Sequence, residues 1–293
     1  MMRWWLILCL ALPAAAADGK KVLVITADAS DYLLAAGGTI AGMIERGASV
    51  RLIRVTNDDK DSWDLTSEDT ARRTREESEQ AARILGIQKV TALGYRAGEL
   101  GGVSPTELRD RLMFYVRLEK PDILFIPNPY AEYVEVMDRH YAGQAAEEAR
   151  RAAAFENFQP PFARLGLGVH ITPELYYYAQ PFDPRRREPE STPTFAPQPK
   201  VLDIAALIGK KVKAAQALKT INHSMAMRIR ERLEATGRRL PLLDTVNDDA
   251  VRRLVEINVR KLAEIAAAGS TFKLAEELHY AGVEHQIPSK YLK

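Results

Sequence analysis

The first half of the chain alternates short apolar runs with longer stretches of helical spacing. Four runs have the length and composition of buried strands: KVLVIT (21–26), SVRLIRVT (49–56), KVTALGY (89–95) and DILFIPNP (122–129). Helical spacing follows each of them, at 34–45, 67–85, 105–120 and about 139–155. This order predicts a Rossmann-like α/β fold, with a parallel sheet and helices on both of its faces.

The second half of the chain is less regular. ELYYYAQ (174–180) predicts a further strand, and KVLDI (200–204) a short one after a proline-rich loop at 181–199. Helices are predicted at about 205–236, 248–268 and 272–280. We therefore expect one α/β domain over residues 18–293, with a helical C-terminal extension from about residue 205.

The N-terminal residues 1–17 have the pattern of a signal peptide. Arg3 precedes an apolar run, 4–12, that is too short to span a bilayer, and Ala15–Ala17 suit signal peptidase cleavage. We expect a secreted or periplasmic protein without a stable membrane span after cleavage. Cys9, the single cysteine, lies in this segment, so the mature chain would have no cysteine-based zinc site.

Composition restricts the range of partners. Lys+Arg 41 against Asp+Glu 39 gives a formal charge of +2, too balanced for a nucleic-acid footprint. With 46% hydrophobic and 27% charged residues, the chain has an ordinary globular balance. Nucleic acid is therefore not an expected partner.

Polar residues follow all four predicted strands of the first half. In open α/β sheets, ligands bind outside the carboxyl ends of the strands. The polar residues at this edge include Asp28, Ser30, Asp31, Asp58, Asp59, Arg96, Asp138, Arg139 and His140. Carboxylates with one histidine can hold a divalent cation, whereas aspartates at such turns also cap helices. From spacing alone, helix capping is favoured.

Four segments resemble the PIG-L/LmbE family of zinc-dependent N-deacetylases. KVLVITADASDYLLAAGGTIA (21–41) is similar to its opening strand, Ala-His-Pro-Asp-Asp-Glu motif and Gly-Gly-Thr. RRTREESEQAARILGI (72–87), LGYRAGEL (93–100) and MDRHYAGQAAEEA (137–149) continue the likeness, which covers most of residues 20–235. The resemblance implies an exported deacetylase that hydrolyses the N-acetyl amide of an N-acetylglucosamine-type or related substrate with zinc or another divalent cation.

The chain departs from the family at the motif residues. Counting without gaps from 37–39, the first ligand histidine is Asp28, the general-base aspartate is Ser30, and the ligand aspartate is kept as Asp31. Serine needs an activating partner to act as a base near neutral pH. An oxygen ligand at residue 28 makes magnesium or calcium more suitable than it would be beside histidine.

The second motif has two alignments. Counting back from Gly143 places Arg139 at the ligand histidine and Asp138 at the motif's aspartate. A shift by one residue would restore His140 as a ligand but would lose the matches to Asp138 and Gly143. A guanidinium cannot coordinate a metal, so Arg139 would instead pair with Asp28 or Asp31 and fill the metal's place with a fixed charge.

These matches assign roles and leave alternatives. The catalytic candidates are Asp28, Ser30 and Asp138; the metal candidates are Asp28, Asp31 and His140; the substrate-binding candidates are Arg139, Asp58, Asp59 and Arg96. The alternative function is a catalytically inactive or altered family member that binds a carbohydrate or another small molecule. A nucleotide site at AAGGT (35–39) is a weaker hypothesis, because the sequence is neither GxGxxG nor a P-loop.

Overall fold

A computed structural model describes residues 19–133, 136–181 and 198–282. The predicted signal peptide and most of the predicted proline-rich loop lie outside these residues, so both stay predictions.

The described residues contain a seven-stranded sheet. Its strands are β1 (Lys21–Thr26), β2 (Ser49–Thr56), β3 (Lys89–Tyr95), β4 (Ile123–Pro127), β5 (Glu174–Tyr178), β6 (Gln198–Asp203) and β7 (Ala275–Ala281), in the order β3-β2-β1-β4-β5-β7-β6. Neighbours among β1 to β5 are parallel, as predicted, whereas β7 is antiparallel to both β5 and β6. The sheet is therefore mixed, not purely parallel.

Eight α-helices lie within the described ranges. They are α1 (Asp31–Glu45), α2 (Ser67–Leu85), α3 (Pro105–Glu119), α4 (Asp138–Ala153), α5 (Pro161–Arg164), α6 (Ile208–Gln216), α7 (Lys219–Glu234) and α8 (Asp248–Ala267). The single helix predicted at 205–236 is thus two helices, which separate at residues 217–218. In the described part of the chain, no helix has the length and apolar character needed to cross a bilayer.

The helix predicted at 272–280 is wrong, because this segment forms β7. Its letters AEELHYA include good helix formers, but the segment lies between two strands that satisfy its backbone on both sides. Tyr280 pairs with Tyr176 of β5, and Glu277 pairs with Val201 of β6. Tertiary pairing has overridden local propensity here.

Helices cover both faces of the sheet, as the alternating pattern predicts. Val22 and Val24 of β1 join a core cluster with α1, α2, α6 and α8, whereas Leu23 and Ile25 join a second cluster with α3 and α4. β1 is therefore buried on both faces, which explains why it reads as a continuous apolar run.

A buried ion pair from the C-terminal part of the chain attaches to α1. Glu276 of β7 accepts hydrogen bonds from Gly38 N (2.8 Å) and Thr39 N (2.7 Å) in the middle of α1. Lys211 of α6 donates to Glu276 Oε1 (2.7 Å) and to the carbonyl of Leu34 (2.6 Å). Both charged side chains are at least 98% buried. We call Lys211 and Glu276 the α1 clamp; it fixes the helix that begins at Asp31.

Candidate functional site

Asp28 caps the start of α1. Its Oδ1 accepts hydrogen bonds from Ser30 N (2.8 Å), Ser30 Oγ (2.7 Å) and Asp31 N (2.9 Å). The capping interpretation from spacing is thus confirmed for Asp28, because it satisfies N–H groups that have no partner within the helix. This arrangement leaves Oδ2 to interact with another part of the chain.

Arg139 of α4 lies against both aspartates of the first motif. Its Nε is 2.8 Å from Asp28 Oδ2 and 3.4 Å from Asp31 Oδ1. Burial acts to raise the pKa of Asp28, but the charge of Arg139 and the hydrogen bonds from Arg139 and Ser30 outweigh it and lower that pKa. The ionised carboxylate and the guanidinium therefore stabilise each other in a buried site.

The packing of α4 requires glycine at residue 143. A Cβ on Gly143 would lie 2.4 Å from the carbonyl oxygen of Pro127, so only glycine lets α4 approach the end of β4 so closely. Arg139 of this helix meets Asp28, while His140 Nδ1 lies 3.0 Å from the carbonyl oxygen of Pro129. The choice between the two alignments of the second motif stays a prediction.

Two aspartates after β2 connect neighbouring loops. Asp58 accepts a hydrogen bond from Ala29 N (3.2 Å) in the loop after β1. Asp59 accepts from Ala97 N (3.0 Å) and from Arg96 Nε (3.0 Å) in the loop after β3. These carboxylates hold the loops after β1, β2 and β3 together, which is a structural use of residues predicted to bind substrate.

Asp138 completes the connections between the loops. Its carboxylate accepts hydrogen bonds from Gly98 N and Leu100 N, in and after the loop that follows β3. Burial raises the pKa of Asp138, and the two backbone hydrogen bonds act against that rise. Arg139, the next residue, pairs with Asp28 in the loop after β1. Each of the loops after β1, β2, β3 and β4 is therefore bonded to the next, and the last is bonded back to the first. We call Asp28, Asp58, Asp59, Asp138 and Arg139 the loop ring.

Arg54, the partner of Asp58, is not among the site residues predicted from the sequence. Arg54 is 98% buried, its Nη1 lies 3.4 Å from Asp58 Oδ2, and Thr56 Oγ1 donates to Asp58 Oδ1 at 3.0 Å. Burial nevertheless raises the pKa of Asp58 to about 7, because desolvation exceeds the opposing effect of Arg54. The sequence signal was a charged residue inside the apolar letters LIRVT, which requires a buried partner.

Asp61 and Arg228 add charges beside the loop ring. Burial raises the pKa of Asp61 to about 6, the charge of Asp28 adds to the rise, and Arg228 of α7 opposes it. Arg228 lies in the C-terminal helices, so the extension contributes charge to this edge of the sheet. The motifs in the first half of the sequence do not predict that Arg228 contributes charge here.

Comparisons with known proteins give a family match and a curated relative. Residues 23–152 match the family described as PIG-L, GlcNAc-PI de-N-acetylase. Over 163 residues the chain is 30% identical to the diacetylchitobiose deacetylase of Thermococcus kodakarensis, and the alignment covers 55% of this chain and 60% of that protein.

Solved structures share the fold over nearly the whole chain. N,N'-diacetylchitobiose deacetylase from Pyrococcus horikoshii has a TM-score of 0.70 at 22% identity, covering 94% of this chain and 88% of that one. The 4-carboxy-2-hydroxymuconate hydratase GalB from Pseudomonas putida KT2440 has a TM-score of 0.58 at 21% identity, covering 89% and 96%. The chain therefore shares its fold with a deacetylase and with a hydratase, and proteins with this fold do not all share one reaction.

The residues at this site do not fit the zinc ion that the resemblance to the PIG-L/LmbE deacetylases implies. Zinc sites use imidazole, thiolate and carboxylate ligands, and Arg139 supplies a permanent positive charge next to both carboxylates. Among the described residues, no three His, Cys, Asp or Glu side chains are grouped to hold a metal ion. The predicted set Asp28, Asp31 and His140 is therefore not brought together.

Proposed function

We propose that this protein binds an N-acetylated sugar at the loop ring and does so without a metal ion. The relatives named for diacetylchitobiose support the ligand class. The observation that carries the proposal is the contact of Arg139 with Asp28 and Asp31, in which a guanidinium neutralises the carboxylates that a cation would otherwise need. The protein then acts as a carbohydrate-binding relative of a deacetylase.

The chemistry of Ser30 supports binding without hydrolysis. Ser30 stands where the resemblance places the general-base aspartate, and its hydroxyl donates to Asp28 at 2.7 Å. Asp28 is itself engaged with Arg139 and has a lowered pKa, so it is a weak proton acceptor for activating a serine. Neither a metal-bound water nor a strong base is available from these residues.

The proposal is tested by calorimetric titration of the full chain with N-acetylglucosamine and with N,N'-diacetylchitobiose. We expect binding of equal affinity with EDTA and with added zinc, and no release of acetate. Ser30→Ala should weaken binding because it removes the hydroxyl that donates to Asp28 of the loop ring. Ser270→Ala, beyond α8, is the matched control. Absence of binding to both sugars, or binding that depends on zinc, would contradict the proposal.

A second candidate function is metal-dependent deacetylation of the same ligand class. The observation that favours it is the 30% identity to a curated deacetylase. It requires Arg139 to leave Asp28 and Asp31 so that a divalent cation, zinc or a harder ion, can enter. Acetate release from diacetylchitobiose in zinc, magnesium or calcium, abolished by Asp31→Asn, would establish this function in place of the first.

We also propose that the protein is exported. Support comes from the sequence of residues 1–17, with Arg3, an apolar stretch and the small residues Ala15–Ala17. Expression with a C-terminal tag and N-terminal sequencing of the extracytoplasmic fraction tests this directly. We expect a mature chain that begins at Asp18; an intact Met1 terminus confined to the cytoplasm would contradict export.

A further inference from the structure

The most exposed apolar side chains cluster at the edge of the sheet opposite the loop ring. Half of the strongly exposed large apolar residues in the described ranges lie there: Leu118, Phe155, Phe158, Leu165, Val169 and Ile171. Their exposure runs from 39% to 72%. We call these six residues the apolar surface. Contiguous apolar patches of this kind mark sites of interaction.

Contacts between α3, α4 and the segment after α4 hold the residues of the apolar surface at the same end of these two helices. Arg117, which precedes Leu118 at the end of α3, donates from Nη2 to the carbonyl oxygen of Phe155 at 2.7 Å. His170, between Val169 and Ile171, donates its backbone N–H to the carbonyl oxygen of Ala153 at 2.9 Å. Both ends of the segment that carries the surface are therefore fastened to the same pair of helices.

The described chain begins at this same edge of the sheet. Lys21 N donates to Asp122 Oδ2 at 2.8 Å, and Glu174 N donates to the carbonyl oxygen of Asp122 at 3.3 Å. His170 Nε2 lies 2.8 Å from the carbonyl oxygen of Pro121. The entry of the chain and the apolar surface are thus neighbours at the amino ends of β1, β4 and β5.

The sequence before this entry point is itself apolar. Residues 4–12, WWLILCLAL, precede residue 19 by only seven positions, which span about 25 Å at most when extended. In the precursor, before cleavage, a bilayer that takes up residues 4–12 is therefore within reach of the apolar surface. For the uncleaved chain, this placement favours a lipid surface over a second protein chain as the occupant.

The charges around the apolar surface suit an anionic bilayer. Lys120, Arg151 and Arg164 are exposed around it, and the exposed acid Glu156 is opposed by the charge of Arg117. Cationic side chains around an apolar face favour anionic headgroups while the apolar groups enter the headgroup boundary. We propose that the apolar surface docks on an anionic lipid bilayer, with the loop ring directed away from the membrane.

The single cysteine of the chain makes a site-specific test possible. With Cys9→Ser as background, Leu165→Cys carries an environment-sensitive fluorophore, and the matched control is Ile257→Cys, an exposed residue of α8 outside the apolar surface. The full chain is mixed with phosphatidylcholine/phosphatidylglycerol vesicles, with and without lipids that bear a quencher. We expect the fluorescence of the label at residue 165 to rise several-fold with vesicles and to be quenched by the quencher-bearing lipids. We expect neither change for the label at residue 257.

Aspartate variants supply the second measurement. Ile171→Asp, added to the labelled Leu165→Cys chain, should lower the lipid-dependent rise in fluorescence about tenfold. It removes an apolar contact and adds a negative charge that the anionic lipids repel. Ile257→Asp should leave that rise unchanged. The proposal is overturned if the chain cosediments with vesicles while the fluorescence of the label at residue 165 does not change. It is also overturned if the chain does not cosediment. A dimer in the absence of lipid that Leu165→Asp dissociates overturns it too, because the surface would then bind a second copy.

Discussion

Arg139 Nε lies 2.8 Å from Asp28 Oδ2, and this contact closes the loop ring between the ends of β1 and β4. Both residues are at least 91% buried. A buried ion pair is weak evidence of net stabilisation, but removal of one partner leaves an uncompensated charge away from water. Arg139, whose charge does not fit beside a zinc ion, is therefore also a residue whose removal should cost stability.

Arg139→Met should destabilise the protein strongly. It leaves the buried carboxylates of Asp28 and Asp31 without their cation, so we expect a loss of about 3–5 kcal/mol in the free energy of unfolding. Urea denaturation followed by circular dichroism measures it. Arg260→Met, which breaks an exposed pair with Glu256, is the control and should cost at most about 1 kcal/mol. Equal losses in the two variants would show that the buried pair has no special role.

Asp28→His combined with Arg139→His should create zinc affinity. The double substitution removes the guanidinium and offers two imidazoles beside the Asp31 carboxylate, a three-ligand set typical of catalytic zinc sites. We expect about one zinc per chain after dialysis, and none in the unmodified protein, by elemental analysis. Adding Asp31→Ala should abolish retention. A folded double variant that retains no zinc would show that the backbone no longer supports the family's metal geometry.

The stability of the protein should fall as the pH rises from about 4 to 7. The pKa of Asp58 is raised from 3.8 to about 7 by burial, so the folded state binds more protons than the unfolded state between these values. The free energy of unfolding then decreases with rising pH across this window. Urea denaturation at several pH values should show this slope. Asp58→Asn should make it shallower and leave the part that the raised pKa of Asp61 contributes. Asp64→Asn, at an exposed position, should leave the slope as it is.

Gly38→Ala should destabilise the protein because α1 packs closely on the C-terminal part of the chain. The new Cβ would lie 2.8 Å from Ile204 Cγ2, and the resulting overpacking outweighs the better helix propensity of alanine, with a net loss of about 1–2 kcal/mol. Gly209→Ala in α6 meets no atom within 4 Å and should be neutral or stabilising. Thermal denaturation compares the two, and a smaller loss from Gly38→Ala in an Ile204→Ala background would identify the contact responsible.

The first five strands and the helices between them could be predicted because their signals are local. β2, β3 and α2 begin and end where the apolar pattern and the glycine at residue 86 place them. β7 could not be predicted in this way, since AEELHYA becomes a strand only between β5 and β6. The division of the predicted 205–236 helix at residues 217–218 likewise had no signal in the apolar spacing.

The candidate site was predictable in part. The ion pairs of Arg139 with Asp28 and Asp31 confirm the predicted pairing. It could be predicted because a gapless alignment shows which residues replace those of the motif. The roles of Asp58, Asp59 and Asp138 in binding or catalysis stay predictions, although each is now seen to fasten a neighbouring loop. Such contacts depend on partners far away in sequence, for which a single chain carries no signal.

The α1 clamp has a consequence for the order of folding. Gly38 and Glu276 are 238 residues apart in the chain, yet their hydrogen bond secures the first helix of the sheet domain. Contacts of such long sequence separation slow folding, because a large loop must close before they form. During synthesis, the hydrogen bonds between α1 and Glu276 cannot form until β7, the last described strand, has been made. A fragment limited to residues 23–152 would therefore lack this partner for the middle of its first helix.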